Sequence, residues 1–206
     1  TNPEDVGVTT AAEKIAPVDA AKDEVDSTLE LYPYPIGSSF ILMALHSVSQ
    51  EGGSDAILKR LSDPGNRQFV AQEINAYDAR PLDQVVFSNL PEHPELEGMS
   101  LFDIARMQDK SPGDVVCDLL LREGLQVGFR GAPPSSVGIT RLLARDQMEF
   151  LARPDYMVGS DQIPVGGLPH PRAYGTFPRF LGRFRRQMPD VMTLETMVQR
   201  MTDNPA

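Results

Sequence analysis

The sequence predicts an α/β protein, and three observations predict it. Helix starts carry paired caps followed by apolar residues at helical spacing, short runs of β-branched and aromatic residues lie between them, and 41% hydrophobic with 23% charged residues over 206 positions suits a packed core.

Taken in order, Thr1–Asp19 is rich in Thr, Ala, Pro and acids without an apolar period, and is expected to be an arm without fixed structure, followed by a short helix over Ala20–Asp26. Thr28–Tyr32 alternates as a strand does. It ends at Tyr32-Pro33-Tyr34-Pro35, where two prolines forbid further pairing, so a loop follows. Gly52-Gly53-Ser54 precedes Ile57, Leu58 and Leu61, and Asp63-Pro64 supplies an N-cap and a first-turn proline. Ser100 with Asp103 and Ser111 with Asp114 form two S-x-x-D boxes, each ahead of an apolar run. Gln84–Phe87 and Gln126–Phe129 read as buried strands, Ser136–Ala144 as a short helix and Tyr156–Gly159 as a further strand. In the closing region Phe177, Phe180, Leu181 and Phe184 share one helical stripe, with Arg179, Arg183 and Arg186 facing elsewhere as a solvated or ion-paired face. Thr193 caps a last helix with Leu194, Met197, Val198 and Met201 on one face.

Composition narrows the partners. A formal charge of −10 opposes general binding to nucleic acid or an anionic membrane, and no run approaches the ~20 apolar residues of a membrane span. Without a secretory signal pattern, a cytoplasmic protein acting on small molecules or other proteins is expected. A single cysteine, Cys117, excludes an internal disulfide, and its apolar neighbours favour packing over redox chemistry. His46, His93 and His170 are isolated, none at the spacing of a metal pair. Charge is uneven: residues 1–30 hold eight acids against two lysines, whereas Gln162–Pro189 holds five arginines and no acid.

The stretch from Gly159-Ser160-Asp161 through His170-Pro171-Arg172-Ala173-Tyr174-Gly175-Thr176-Phe177-Pro178-Arg179-Phe180-Leu181-Gly182-Arg183 closely resembles the C-terminal motif of N-acyl-D-amino-acid deacylases (D-aminoacylases) of the amidohydrolase superfamily. Tyr32-Pro33-Tyr34, Glu51-Gly52-Gly53, Leu61-Ser62-Asp63-Pro64 and the closing Met201–Ala206 follow the family in order, so the resemblance covers Leu29 to Ala206. It implies the C-terminal part of a metal-dependent (β/α)8 barrel, with Thr28–Tyr32 and Tyr156–Gly159 as its last two strands. Those strands lie ~130 positions apart where one barrel unit takes roughly 30. An inserted α/β lid subdomain over 40–150 is therefore expected, between a leader over 1–27, a strand and substrate loop over 28–39, and a last strand, motif loop and two helices over 151–206.

The same resemblance implies the site. Asp161 would move the proton in amide hydrolysis and would also touch the metal, Arg172 would grip the substrate carboxylate, and Tyr32 and Ser38 would contact substrate. From residue type alone the alternatives stay open: Asp161 as a loop cap, Arg172 in a structural salt bridge, Tyr32 and Ser38 as packing residues. The zinc ligands that the family needs, an H-x-H pair, a cysteine and two further histidines, have no counterpart here, and Cys117 falls in the expected insertion. The expectation is one portion of an enzyme for N-acyl-D-amino acids: a fragment or truncated product that holds no tight zinc alone, is inactive alone, and pairs with itself or with a partner carrying the earlier barrel strands. A binding or assembly module descended from that family is the competing expectation, and an unrelated regulatory protein with an arginine-rich helix is the weakest of the three.

Overall fold

The computed structural model describes residues 10–22, 24–76, 82–134 and 136–205. The first nine residues of the expected leader and Ala206 of the closing motif lie outside the described residues. In chain order the elements are α1 (Ala11–Ala21), β1 (Leu29–Leu31), β2 (Ser38–Phe40), α2 (Ser47–Gln50), α3 (Gly53–Ser62), α4 (Pro64–Ala76), β3 (Val85–Asn89), α5 (Leu101–Gln108) and α6 (Pro112–Arg122). Then follow β4 (Gly128–Gly131), α7 (Val137–Ala152), β5 (Tyr156–Val158), α8 (Arg172–Pro178), α9 (Arg185–Gln187) and α10 (Leu194–Met201). The chain is a mixed α/β protein with two small open sheets, and it divides into two units.

The first unit comprises Thr1–Pro35, Pro133–Gln162 and Pro171–Ala206. Its sheet is a parallel pair, β1 against β5, with Leu29 opposite Tyr156 and Leu31 opposite Val158. Parallel strands need a long crossover and are ordinarily covered on both faces. Helix α7 packs against β5 in this unit although its sequence lies within 40–150. It runs past the expected end at Ala144 because nothing breaks it before Arg153-Pro154, and it buries Ile139, Met148 and Leu151. The amino-terminal helix also differs from expectation. Thr10 and Glu13 form a capping box, Ile15 is buried and Lys14 lies 2.7 Å from Asp146, so α1 occupies Ala11–Ala21 where an unstructured arm was expected and ends where a helix was expected to begin.

The closing helices correct the sequence reading in a second way. Arg179–Phe184 forms a π-helical stretch between α8 and α9. A π turn holds more residues than an α turn, so a stripe spaced for 3.6 residues does not stay on one face. Phe180 and Phe184 are buried edge-to-face at 5.6 Å, while Phe177 is 41% exposed. In α10, capped by Thr193, Met197 is buried but Leu194 and Val198 are exposed, so only part of the expected stripe meets the core.

The second unit comprises Ile36–Ala132 and Ile163–His170. Its antiparallel sheet has the order β2-β4-β3, with Ser38 opposite Arg130 and Phe40 opposite Gly128. Ser38 therefore stands in a strand rather than in the expected loop, because β4 supplies partners as far as Gly37, whose carbonyl accepts from the Gly131 amide at 2.9 Å. Both S-x-x-D boxes form: the Ser100 and Ser111 hydroxyls each accept from an amide three residues on, at 3.1 Å. Helices α4 and α6 pack so closely that a side chain at Gly113 would collide with the Ala71 carbonyl. Phe87, Leu101, Ile104, Val116 and Leu120 fill the core with Cys117, which is fully buried; burial pushes its thiol up to about 12. Residues Ile163–His170 belong to this unit. Gly166 has φ +78°, and a side chain there would collide with the Ser88 carbonyl. The Glu97 carboxylate accepts from the amides of Gly167 and Leu90, both at 2.9 Å.

Candidate active site at the ends of the parallel strands

Because β1 and β5 run parallel and in register, their carboxyl ends lie side by side, and the Gly159 amide extends the ladder by donating to the Leu31 carbonyl at 3.2 Å. The residues that follow each strand, Tyr32 on one and Asp161 on the other, are thereby brought to one end of the sheet. In parallel α/β sheets this is the end where ligands bind.

Asp161 has φ +42°, the left-handed region that aspartate tolerates better than most residues, and its side chain is 58% exposed. Arg172, at the first turn of α8, is 2% exposed, and its Nη1 lies 3.0 Å from Asp161 Oδ2. The Arg172 guanidinium sits 4.6 Å from the centroid of the Tyr32 ring, a cation over an aromatic face. Three of the four sequence-derived candidates, Asp161, Arg172 and Tyr32, thus form one chain of contacts in the first unit. Ser38, the fourth, belongs to the second unit.

The loop between Tyr32 and Pro35 is held by groups that sequence reasoning did not single out. Gln147 of α7 donates from Nε2 to the carbonyls of Tyr32 (3.2 Å) and Tyr34 (2.9 Å). Arg179 repeats the arrangement of Arg172, 4.6 Å from the Tyr34 ring, and burial pulls its ionisation downward. In the π-helical stretch it therefore stands over an aromatic ring, rather than on the solvated or ion-paired helix face that 3.6-residue spacing implied. Gly175 leaves room for the Tyr34 hydroxyl, with which any side chain would collide. One signal was available in the sequence: Pro33 and Pro35 have no amide to donate, so a loop built on them draws its hydrogen bonds from elsewhere.

Chemically, the arrangement is an exposed carboxylate oriented by a shielded guanidinium. It does not resemble a metal centre. Among the described residues no three His, Cys, Asp or Glu side chains come together. Asp161 is engaged by Arg172, the raised Cys117 thiol is not a thiolate near neutral pH, His93 Nδ1 lies 2.5 Å from the Glu123 carboxylate, and His46 caps α2. The donor set does not fit zinc.

No family model matches the chain. Among individual proteins, it is 36% identical over 109 residues to a D-aminoacylase of Alcaligenes xylosoxydans xylosoxydans, covering 53% of this chain and 20% of that protein. It is 29% identical over 200 residues to an N-acyl-D-glutamate deacylase of the same organism, covering 95% of this chain and 31% of that protein. Two solved structures are similar. A D-aminoacylase described as defining a novel subset of amidohydrolases has a TM-score of 0.58 at 28% identity, over 94% of this chain and 31% of that one. The N-acyl-D-glutamate deacylase of Bordetella bronchiseptica, in complex with zinc and a phosphonate mimic of the tetrahedral intermediate, has a TM-score of 0.60 at 26% identity, over 95% of this chain and 32% of that one. The chain spans about a third of the relatives it matches along its whole length, and it belongs to the D-aminoacylase and N-acyl-D-glutamate deacylase branch of the amidohydrolase superfamily.

Proposed function

We propose that this chain is the portion of an N-acyl-D-amino-acid deacylase that supplies its proton-transfer carboxylate and its carboxylate-binding arginine. The observation that carries the reading is the convergence of Tyr32, Asp161 and Arg172 at the carboxyl ends of two parallel strands. On this reading β1 and β5 are the last two strands of the barrel, and the second unit is a lid inserted between them. Asp161 takes a proton from the water that attacks the amide carbonyl and returns it to the nitrogen as the C–N bond breaks, giving a carboxylate and a free D-amino acid. Arg172 holds the substrate carboxylate, aided by Tyr32 and Ser38. Zinc comes with ligands from polypeptide outside this chain.

The ion pair favours one further reading. With Arg172 buried and committed to Asp161 and Tyr32, a substrate carboxylate has to compete with Asp161 for the guanidinium, whereas a binding or assembly module needs no such exchange. Turnover of N-acetyl-D-methionine, with zinc present, separates the two. The expected result is no turnover by the chain alone, turnover when it is mixed with a polypeptide carrying the family's H-x-H strand and remaining barrel strands, and a loss of about a hundredfold or more on Asp161→Asn. Undiminished turnover by Asp161→Asn would remove Asp161 from the chemistry. Substrate binding without turnover in every mixture would favour the module.

A further inference from the structure

Within the first unit, the loop that carries Tyr32 depends on a single side chain. Pro33 and Pro35 have no amide hydrogen, so the loop cannot be fixed by a run of its own backbone bonds. The Tyr32 and Tyr34 carbonyls instead share one donor nitrogen, Gln147 Nε2, at 3.2 and 2.9 Å, and an amide NH2 has one hydrogen for each. The anchor is itself fixed. Gln147 lies on α7 between Asp146, buried and 2.7 Å from Lys14, and the fully buried Met148. Each ring that the loop presents carries a guanidinium at 4.6 Å, Arg172 over Tyr32 and Arg179 over Tyr34.

From this geometry we infer that Gln147 is the positioning residue of the carboxylate clamp: by tying both carbonyls to α7 it fixes the Tyr32 ring beneath Arg172, and so fixes where the guanidinium meets the substrate carboxylate. The inference rests on the deacylase reading. A cation over an aromatic face is held in height but free to slide across the ring, so the lateral position of Arg172 follows that of Tyr32. When a substrate carboxylate displaces Asp161 from the guanidinium, the ring is a contact that stays. The amide of Gln147 also bears the mark of this task. Its Oε1 is buried without a hydrogen-bond partner among the described residues, which costs free energy, and turning the amide over would set that oxygen against two carbonyl oxygens. An apolar side chain at this point of α7 would avoid the cost but could hold neither carbonyl.

Gln147→Met and Gln147→Glu keep the length of the side chain and remove both donors. Circular dichroism of the purified chain establishes whether each variant folds. Guanidinium NMR, with Arg172 assigned through Arg172→Lys, is expected to show the native Arg172 hydrogens resolved and shifted by the Tyr32 ring, and those of the two variants averaged and unshifted. A residue that only stabilised the fold would lower the melting temperature without moving these signals. Affinity is then measured for N-acetyl-D-methionine and for its amide, N-acetyl-D-methioninamide. The native chain is expected to prefer the acid about tenfold, the worth of one charge-assisted hydrogen bond, and both variants to lose that preference. The inference is overturned if either the Arg172 signals or the acid preference is unchanged in the folded variants. It is overturned equally if neither variant folds, since Gln147 would then be a residue of the fold. The deacylase reading fails separately: a native chain that binds acid and amide equally has no carboxylate clamp, whatever Gln147 does to the loop.

Discussion

The two units solve the problem of burying a sheet in opposite ways. In the second, three antiparallel strands pack one continuous core, Phe87 and Leu120 at its centre, and both edge strands are short. In the first, the sheet is a parallel pair whose outer edges have no strand partner among the described residues, and Phe177, Leu194 and Val198 remain exposed. Parallel strands are characteristic of sheets buried on both faces. Asp161, Arg172 and Tyr32 thus stand on the unit with the less complete sheet, while the unit with the fuller core carries Ser38 alone of the four candidates.

The largest expected effect separates the units energetically. Phe87→Ala should destabilise the second unit by about 3–5 kcal/mol, measured as lost amide protection in β3, β4 and α6. Equal loss of protection in α7 and β5 would show that the units unfold together, and would break the comparison. Acid comes next. Burial pushes the Asp118 carboxyl up, but hydrogen bonds and charges from Lys110 (2.7 Å) and Arg67 (2.6 Å) outweigh it and hold the carboxyl below its ordinary value. A folded value below the unfolded one stabilises the fold above about pH 4 and ceases to do so as pH falls through the folded value. Urea melts should therefore show the second unit weakening below about pH 4, with a flatter profile in Asp118→Asn. Removing one cap is smaller: Ser111→Ala should cost about 1 kcal/mol through loss of the bond to the Asp114 amide. Cys117 should give the smallest signal, no reaction with a thiol reagent at pH 8 in the native protein and full reaction in denaturant.

What the sequence made legible follows from whether the controlling interaction is local. The caps at Ser100, Ser111 and Thr193 form because donor and acceptor are three residues apart, and β1 and β5 fall within a residue or two of their expected ends. Helix α1 escaped reading because its support comes from far along the chain, through the Lys14–Asp146 pair and the burial of Ile15. The π turn at Arg179–Phe184 escaped because residue spacing carries an assumed turn geometry. Asp161, Arg172 and Tyr32 were found as candidates by resemblance to a motif, and their pairing was not: nothing in the order of residues tells that Arg172 would be covered and spent on Asp161. Gln147 was invisible for the same reason, since its two acceptors lie more than a hundred residues away.

The segment Ile163–His170 carries a consequence for how such a protein can change over evolutionary time. It leaves the strand-end residue Asp161 and seats its glycines on Ser88 and Glu97, in the second unit, before the chain returns to Arg172. Residues 36–132 are therefore not a cassette that can be exchanged by cutting at two points. A shorter version that removes Ser88 or Glu97 deprives residues 163–170 of their seat, so a change in one stretch is expected to need a matching change in the other, and the spacing between Asp161 and Arg172 is tied to residues 36–132 rather than independent of them.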